Sequence, residues 1–253
     1  MEDLLGLHPQ LWRASGLGSA TSASIPTGHA NLDAQLPGGG WPTGNLTELL
    51  VRALGVGELR LLAPALRRLA QSGKQILLLA PPQLPYGPAL ASLGLAPESF
   101  LVVRARQAAD RLWALEQSLK SNRFGALLAW LDEPTRAEHI RRFQLAARQA
   151  QGPIFLFRPL AVQTQPSAAP LRLALLPRRY PGLAVHLLKR RGPVQAEPIL
   201  LNLPLPHRAL RPLQEAPTEP AHSPSRHSPS LSTAQIQGLG HALDRLPVSP
   251  RSL

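Results

Sequence analysis

The chain has 253 residues, 44% hydrophobic but only 4% aromatic, so leucine and alanine must pack most of its core. It contains no cysteine, which excludes disulfides, thiol catalysis and cysteine metal sites and is compatible with a reducing cytosol. The formal net charge is +12, and nearly all of the excess lies in residues 134–211, where 13 Lys and Arg face 2 Asp and Glu.

A field of that density favours acidic partners, nucleic acid above all; the plainer alternative is a solvated basic face. No basic segment followed by an apolar run opens the sequence, and no stretch of about 18 apolar residues occurs. A cytoplasmic protein without a signal peptide or membrane helix is therefore expected.

In chain order, residues 1–15 hold a short amphipathic piece (Leu4, Leu5, Leu7, Leu11, Trp12), and a Gly/Ser/Ala/Thr-rich linker runs from Ser15 to Ser24. Ile25–Asp33 reads as a polar loop leading into a short helix, and Leu36–Gly44 as a turn-rich, hairpin-like stretch. Asn45–Val51 is a buried strand. From Glu58 to Gln71 the apolar residues recur at helical spacing, and Gly73 stops that helix. Gln75–Ala80 is a continuous apolar strand of the kind buried on both faces.

The rhythm then repeats. Pro88–Leu93 is helical, Phe100–Val103 a strand, Ala108–Ser121 a helix and Ala126–Leu131 a strand. Thr135 and Glu138 have capping-box spacing for a helix running to about Ala150, and Ile154–Phe157 is the next strand. Alternation of this kind predicts an α/β fold with a mainly parallel sheet flanked by helices. Leu171–Leu176, Leu183–Lys189 and Ile199–Leu203 follow without helices between them, which predicts a C-terminal antiparallel meander.

Three regions result: a helical arm with its linker over 1–24, a folded domain over 25–204, and a Pro/Ser-rich tail over 205–253 for which disorder is the default. Inside the tail, residues 232–246 place Ile236, Leu239, Leu243 and Leu246 at helical spacing. They are candidates for a helix that docks on a partner, against a transient helix with no role, since two glycines weaken it.

Several segments carry a resemblance. Ile25-Pro-Thr-Gly-His-Ala-Asn-Leu-Asp33 followed by Leu36-Pro-Gly-Gly-Gly-Trp-Pro-Thr-Gly-Asn-Leu-Thr-Glu-Leu-Leu50 resembles the start of the RecA core. The match is closer to the ImuA family, RecA-like and sometimes described as SulA-like. Further family-like pieces are Gly55–Leu66, Ala80–Tyr86, Leu112–Gln117, Leu128–Leu131, Phe155–Pro159 and Leu188–Gly192, so the likeness spans roughly residues 25–203.

The resemblance implies a RecA-like domain acting as an accessory protein in SOS-type, damage-inducible translesion DNA synthesis. It implies an ImuB-like polymerase subunit and RecA as partners. A SulA-like inhibitor of the division protein, a nucleotide switch that binds without hydrolysis, and a basic DNA-binding regulator are the alternatives.

A phosphate loop needs a glycine-rich turn presenting N–H groups, a Lys for the phosphates and a Ser/Thr for magnesium. This chain offers Gly55 and Gly57, but Glu58 stands where the Lys would fall and Leu59 where the hydroxyl would. The magnesium Asp expected at the end of the 126–131 strand is replaced by about Trp130, and the catalytic carboxylate falls at Pro81 or Pro82. The expectation is a degenerate, non-catalytic site with no cofactor and no metal, in which Trp130 is a candidate plug for the vacated pocket.

The two DNA-binding loops implied by the likeness are reduced, to Asp132–Thr135 and to about Leu160–Ala169. The basic residues Arg136, Arg141, Arg142, Arg148, Arg158, Arg178, Arg179, Lys189, Arg190 and Arg191 are the candidates for phosphate-backbone or acidic-partner contacts, with steep salt dependence.

Overall fold

The computed structural model describes residues 23–132, 135–192 and 196–203. The chain divides into two units, Met1–Arg208 and Ala209–Leu253, and all described residues belong to the first. The arm, the tail and the candidate helix with Ile236, Leu239, Leu243 and Leu246 lie outside the described residues.

The elements run β1 (Ser24–Ile25), α1 (Ala30–Asp33), β2 (Trp41–Pro42), β3 (Leu46–Val51), α2 (Glu58–Gln71), β4 (Ile76–Leu79), α3 (Gly87–Ser92), β5 (Phe100–Val103), α4 (Ala108–Ser121), β6 (Ala126–Trp130), α5 (Ala137–Ala147), β7 (Ile154–Pro159), β8 (Leu171–Pro177), β9 (Gly182–Lys189) and β10 (Ile199–Asn202). Eight strands form one sheet in the order β10-β9-β8-β3-β7-β6-β4-β5. The six from β8 to β5 are parallel, while β9 and β10 complete an antiparallel meander on β8. The protein is thus mixed α/β with a mainly parallel sheet.

Side chains of the inner strands alternate between two cores. Leu49, Ile76, Leu78, Leu128, Phe155 and Leu173 face α2 and α3, with Leu61, Leu62, Leu66 and Leu69 of α2 closing that side. Leu77, Leu79, Leu127, Ile154 and Leu156 face α4 and α5, against Leu115, Leu119, Ile140 and Phe143. Strands buried on both faces have no polar side, which is why their sequence reads as near-continuous hydrophobic runs. The helices on both faces satisfy that demand.

The segment after β7 covers a part of the β3–β8 surface that α4 and α5 do not reach. Here Glu48, in the middle of β3, is wholly buried. Its carboxylate accepts from Arg158 Nη1 at 2.9 Å and Ser167 Oγ at 2.7 Å through Oε1, and from Arg172 Nε at 2.7 Å through Oε2. Arg172 also donates to the carbonyls of Val162, Gln163 and Gln165. A covering loop has backbone acceptors to satisfy, and this guanidinium satisfies three of them.

Two expectations change. The N-cap of α5 is Arg136, one residue later than the capping box at Thr135 and Glu138 places it, and Arg136 makes no side-chain cap bond. The hairpin-like reading of Leu36–Gly44 becomes a turn whose far side, β2, pairs with β1 rather than within the stretch.

Gly125 and Gly152 precede β6 and β7 where the two chains nearly touch. A Cβ at Gly152 would lie 1.9 Å from the carbonyl oxygen of Gly125. Gly152→Ala is expected to cost about 1–3 kcal/mol by forcing the strand starts apart, read as a lowered urea midpoint with unchanged slope.

Candidate functional site

In an open parallel sheet, ligand sites form beyond the carboxyl ends of the strands, where loops leave the sheet. A cleft of about 620 Å³ opens at that edge. Its walls come from the segments that follow β3, β4, β5, β6 and β7, among them Arg52–Leu54, Ala80–Leu84, Arg104–Arg106, Leu131–Asp132 and Arg158–Pro159.

Trp130 and Phe157 form part of the wall, stacked on each other with centroids 4.7 Å apart and planes 17° from parallel. Both are buried, Trp130 at 8% and Phe157 at 2% exposure. Trp130 therefore lines the cleft instead of plugging it, because its ring packs flat on Phe157 of the neighbouring strand. Pro82 is exposed at the same cleft.

The loop between β3 and α2 explains what Glu58 does. Gly55 and Gly57 take positive φ, 81° and 112°, a backbone that side-chain-bearing residues rarely adopt. This turns their N–H groups inward at the start of the 14-residue helix α2. Glu58 folds back onto them: Oε1 accepts from Gly55 N–H at 2.8 Å and Oε2 from Gly57 N–H at 3.0 Å. A helix N-terminus with converging N–H groups is an anion site, and a buried carboxylate of the chain itself fills this one. Leu59 packs against the α2-side core.

The basic candidates separate. Arg158 is 3% exposed and committed to Glu48, so it is withdrawn as a contact for nucleic acid or a partner: burial beside a carboxylate leaves it nothing to offer a surface. Arg142 pairs with Glu116, which also binds Lys120 at 2.8 Å. The hydrogen bond from Lys120, with the Arg142 charge nearby, holds the Glu116 carboxyl below its ordinary value.

Lys189 donates to the Ser167 carbonyl at 2.7 Å, and Arg190 to that of Gln35. Arg136, Arg141, Arg148, Arg178, Arg179 and Arg191 are exposed. Arg136 and the β8–β9 turn with Arg178 and Arg179 lie at the carboxyl edge, while Arg191 follows β9 at the opposite edge. The charge that is dense in sequence is spread over both ends of the sheet.

Sequence reading missed Arg52, Arg104 and Arg106, which stand exposed around the cleft, and Arg111, which binds Asp132 at 2.6 Å. Their signal was position: each exposed one follows within three residues of the end of a parallel strand.

No protein-family model matches this chain, and no curated protein matches it.

Proposed function

We propose that this protein is a non-catalytic accessory or adaptor protein with a RecA-like core, acting in SOS-type translesion DNA synthesis beside an ImuB-like polymerase subunit, RecA or both. The observation that carries the non-catalytic part is the Glu58 carboxylate bound to Gly55 and Gly57 N–H. A triphosphate entering that loop would have to displace a buried anion and would then face its charge.

The sheet order supports the RecA-like reading. The loop-bearing β3 sits centrally beside β7, with β6 one strand further, so the β3 loop and the end of β6 share one edge. At that edge the position for a magnesium carboxylate is Trp130, and Pro81 and Pro82 follow β4. The adaptor role itself comes from the likeness to the ImuA family, and cytoplasmic location belongs to the same proposal. Among the described residues no helix is long and apolar enough to cross a membrane.

The test is a pull-down of purified full-length chain, and of a chain ending at Pro204, against the ImuB-like subunit and RecA at two salt concentrations. Capture of either partner by the full chain is expected. Loss on truncation would place the contact in residues 205–253, while a steep loss with salt would place it on the exposed arginines. If the division protein is retained and the other two are not, the SulA-like reading replaces this one.

A further inference from the structure

The carboxyl-edge cleft has features that the adaptor reading does not use. Arg52 reaches it from the segment after β3, and Arg104 and Arg106 from the segment after β5; all three are exposed, and none makes an ion pair or hydrogen bond among the described residues. Between them the accessible lining is aliphatic: Leu54 is 50% and Leu84 60% exposed, and Pro81, Pro82 and Pro159 adjoin them. Such a surface fits an occupant that is apolar in the middle and acidic at its edge.

Nucleic acid fits it poorly. Binding of single strands relies on exposed rings on which bases stack. The two rings of this cleft are stacked on each other and buried.

The chain itself contains a segment of the required chemistry. Residues 1–12 carry Glu2 and Asp3 beside Leu4, Leu5, Leu7, Leu11 and Trp12, with no Lys or Arg. The other long segment outside the described residues, 204–253, carries five Arg against three acids. Ser15–Ser24 links the acidic segment to β1, which pairs with β2 just before β3. The cleft lies at the far end of β3, roughly 20 Å away for six strand residues. About ten extended linker residues span roughly 33–36 Å, enough to reach it.

We infer that residues 2–12 of the same chain dock in the carboxyl-edge cleft. The leucines cover Leu54 and Leu84, and Glu2 and Asp3 face Arg52, Arg104 and Arg106. Any partner that uses the cleft must displace this segment. The inference is independent of the adaptor reading.

The absence of cysteine makes the test direct, because Leu4→Cys in the full chain gives a single labelling site. It is labelled with benzophenone maleimide, irradiated, digested and mapped by mass spectrometry. Cross-links to residues 80–84 and 104–106 are expected, with a yield independent of protein concentration.

Adding Glu2→Lys and Asp3→Lys is expected to lower that yield at least about fivefold, as for the loss of two or more exposed ion pairs. Combining those changes with Arg52→Glu, Arg104→Glu and Arg106→Glu is expected to restore it. Cross-links elsewhere in the chain overturn the inference. Cross-links between chains that rise with concentration overturn the same-chain occupant in favour of a second copy, and a yield indifferent to charge reversal overturns the pairing with the three arginines.

Discussion

Glu48→Ala is expected to cost about 3–5 kcal/mol of folding stability, the cost of breaking a buried ion pair from one side. The carboxylate is wholly buried and is the shared partner of Arg158 and Arg172, which are themselves 3% and 5% exposed. Removing it leaves two guanidinium groups in the interior with no counter-charge. Arg158 has no slack to absorb the loss, since its Nε already lacks an acceptor.

Arg172 would keep its three carbonyl acceptors, so Arg158 should be the group that forces local rearrangement. The measurement is equilibrium urea unfolding of the purified full chain. A loss under 1 kcal/mol would mean that water reaches the network. Replacing Glu48, Arg158 and Arg172 together by Met or Leu is expected to recover most of the stability. Well-packed apolar groups carry no desolvation penalty, so the triple variant separates uncompensated charge from simple loss of volume.

The second large effect is expected at Glu58. Glu58→Ala removes the acceptor of two loop N–H groups and should destabilise the fold by about 1–3 kcal/mol, the range for leaving buried donors unsatisfied. It also vacates an anion site at the start of α2, so millimolar phosphate or sulfate should raise the variant's melting temperature more than the parent's. At a hundred times its dissociation constant an anion contributes about 2.7 kcal/mol.

A thermal-shift titration of both proteins with phosphate checks this. Equal responses would show that the carboxylate does not occupy the nest. On the proposed reading, Glu58→Lys is expected to release no phosphate from ATP in a phosphate-release assay, because Leu59 supplies no hydroxyl and Trp130 no carboxylate.

Much of the fold was legible in the sequence for a simple physical reason. Strands buried on both faces are apolar at nearly every position, and helices covering them are apolar on one side. Glu58–Gln71 and Ala108–Ser121 accordingly begin and end where periodicity placed them, as does the half-exposed edge strand Phe100–Val103. The meander was legible from short polar links that leave no room for a crossover helix.

The site was less so. Arg158 and Arg136 look alike in a basic stretch, yet one is buried against Glu48 and the other is exposed, and only strand register decides between them. Glu48 sits 110 residues from Arg158 and 124 from Arg172, so no local pattern announces the network. The arginines of the cleft come from separate loops and converge because the parallel strands end at one edge. The spacing of Thr135 and Glu138 misplaced the start of α5 by one residue, because a residue pattern does not fix which backbone first turns helical.

By itself the sequence determined the α/β class and the order of its elements, since these follow from local periodicity and residue chemistry. Only the tertiary structure decided that Glu58 binds the N–H groups of its own loop, that Trp130 lines the cleft, and which arginines are buried and which meet at one edge. Those outcomes depend on strand order and register, through which residues distant in the chain become neighbours.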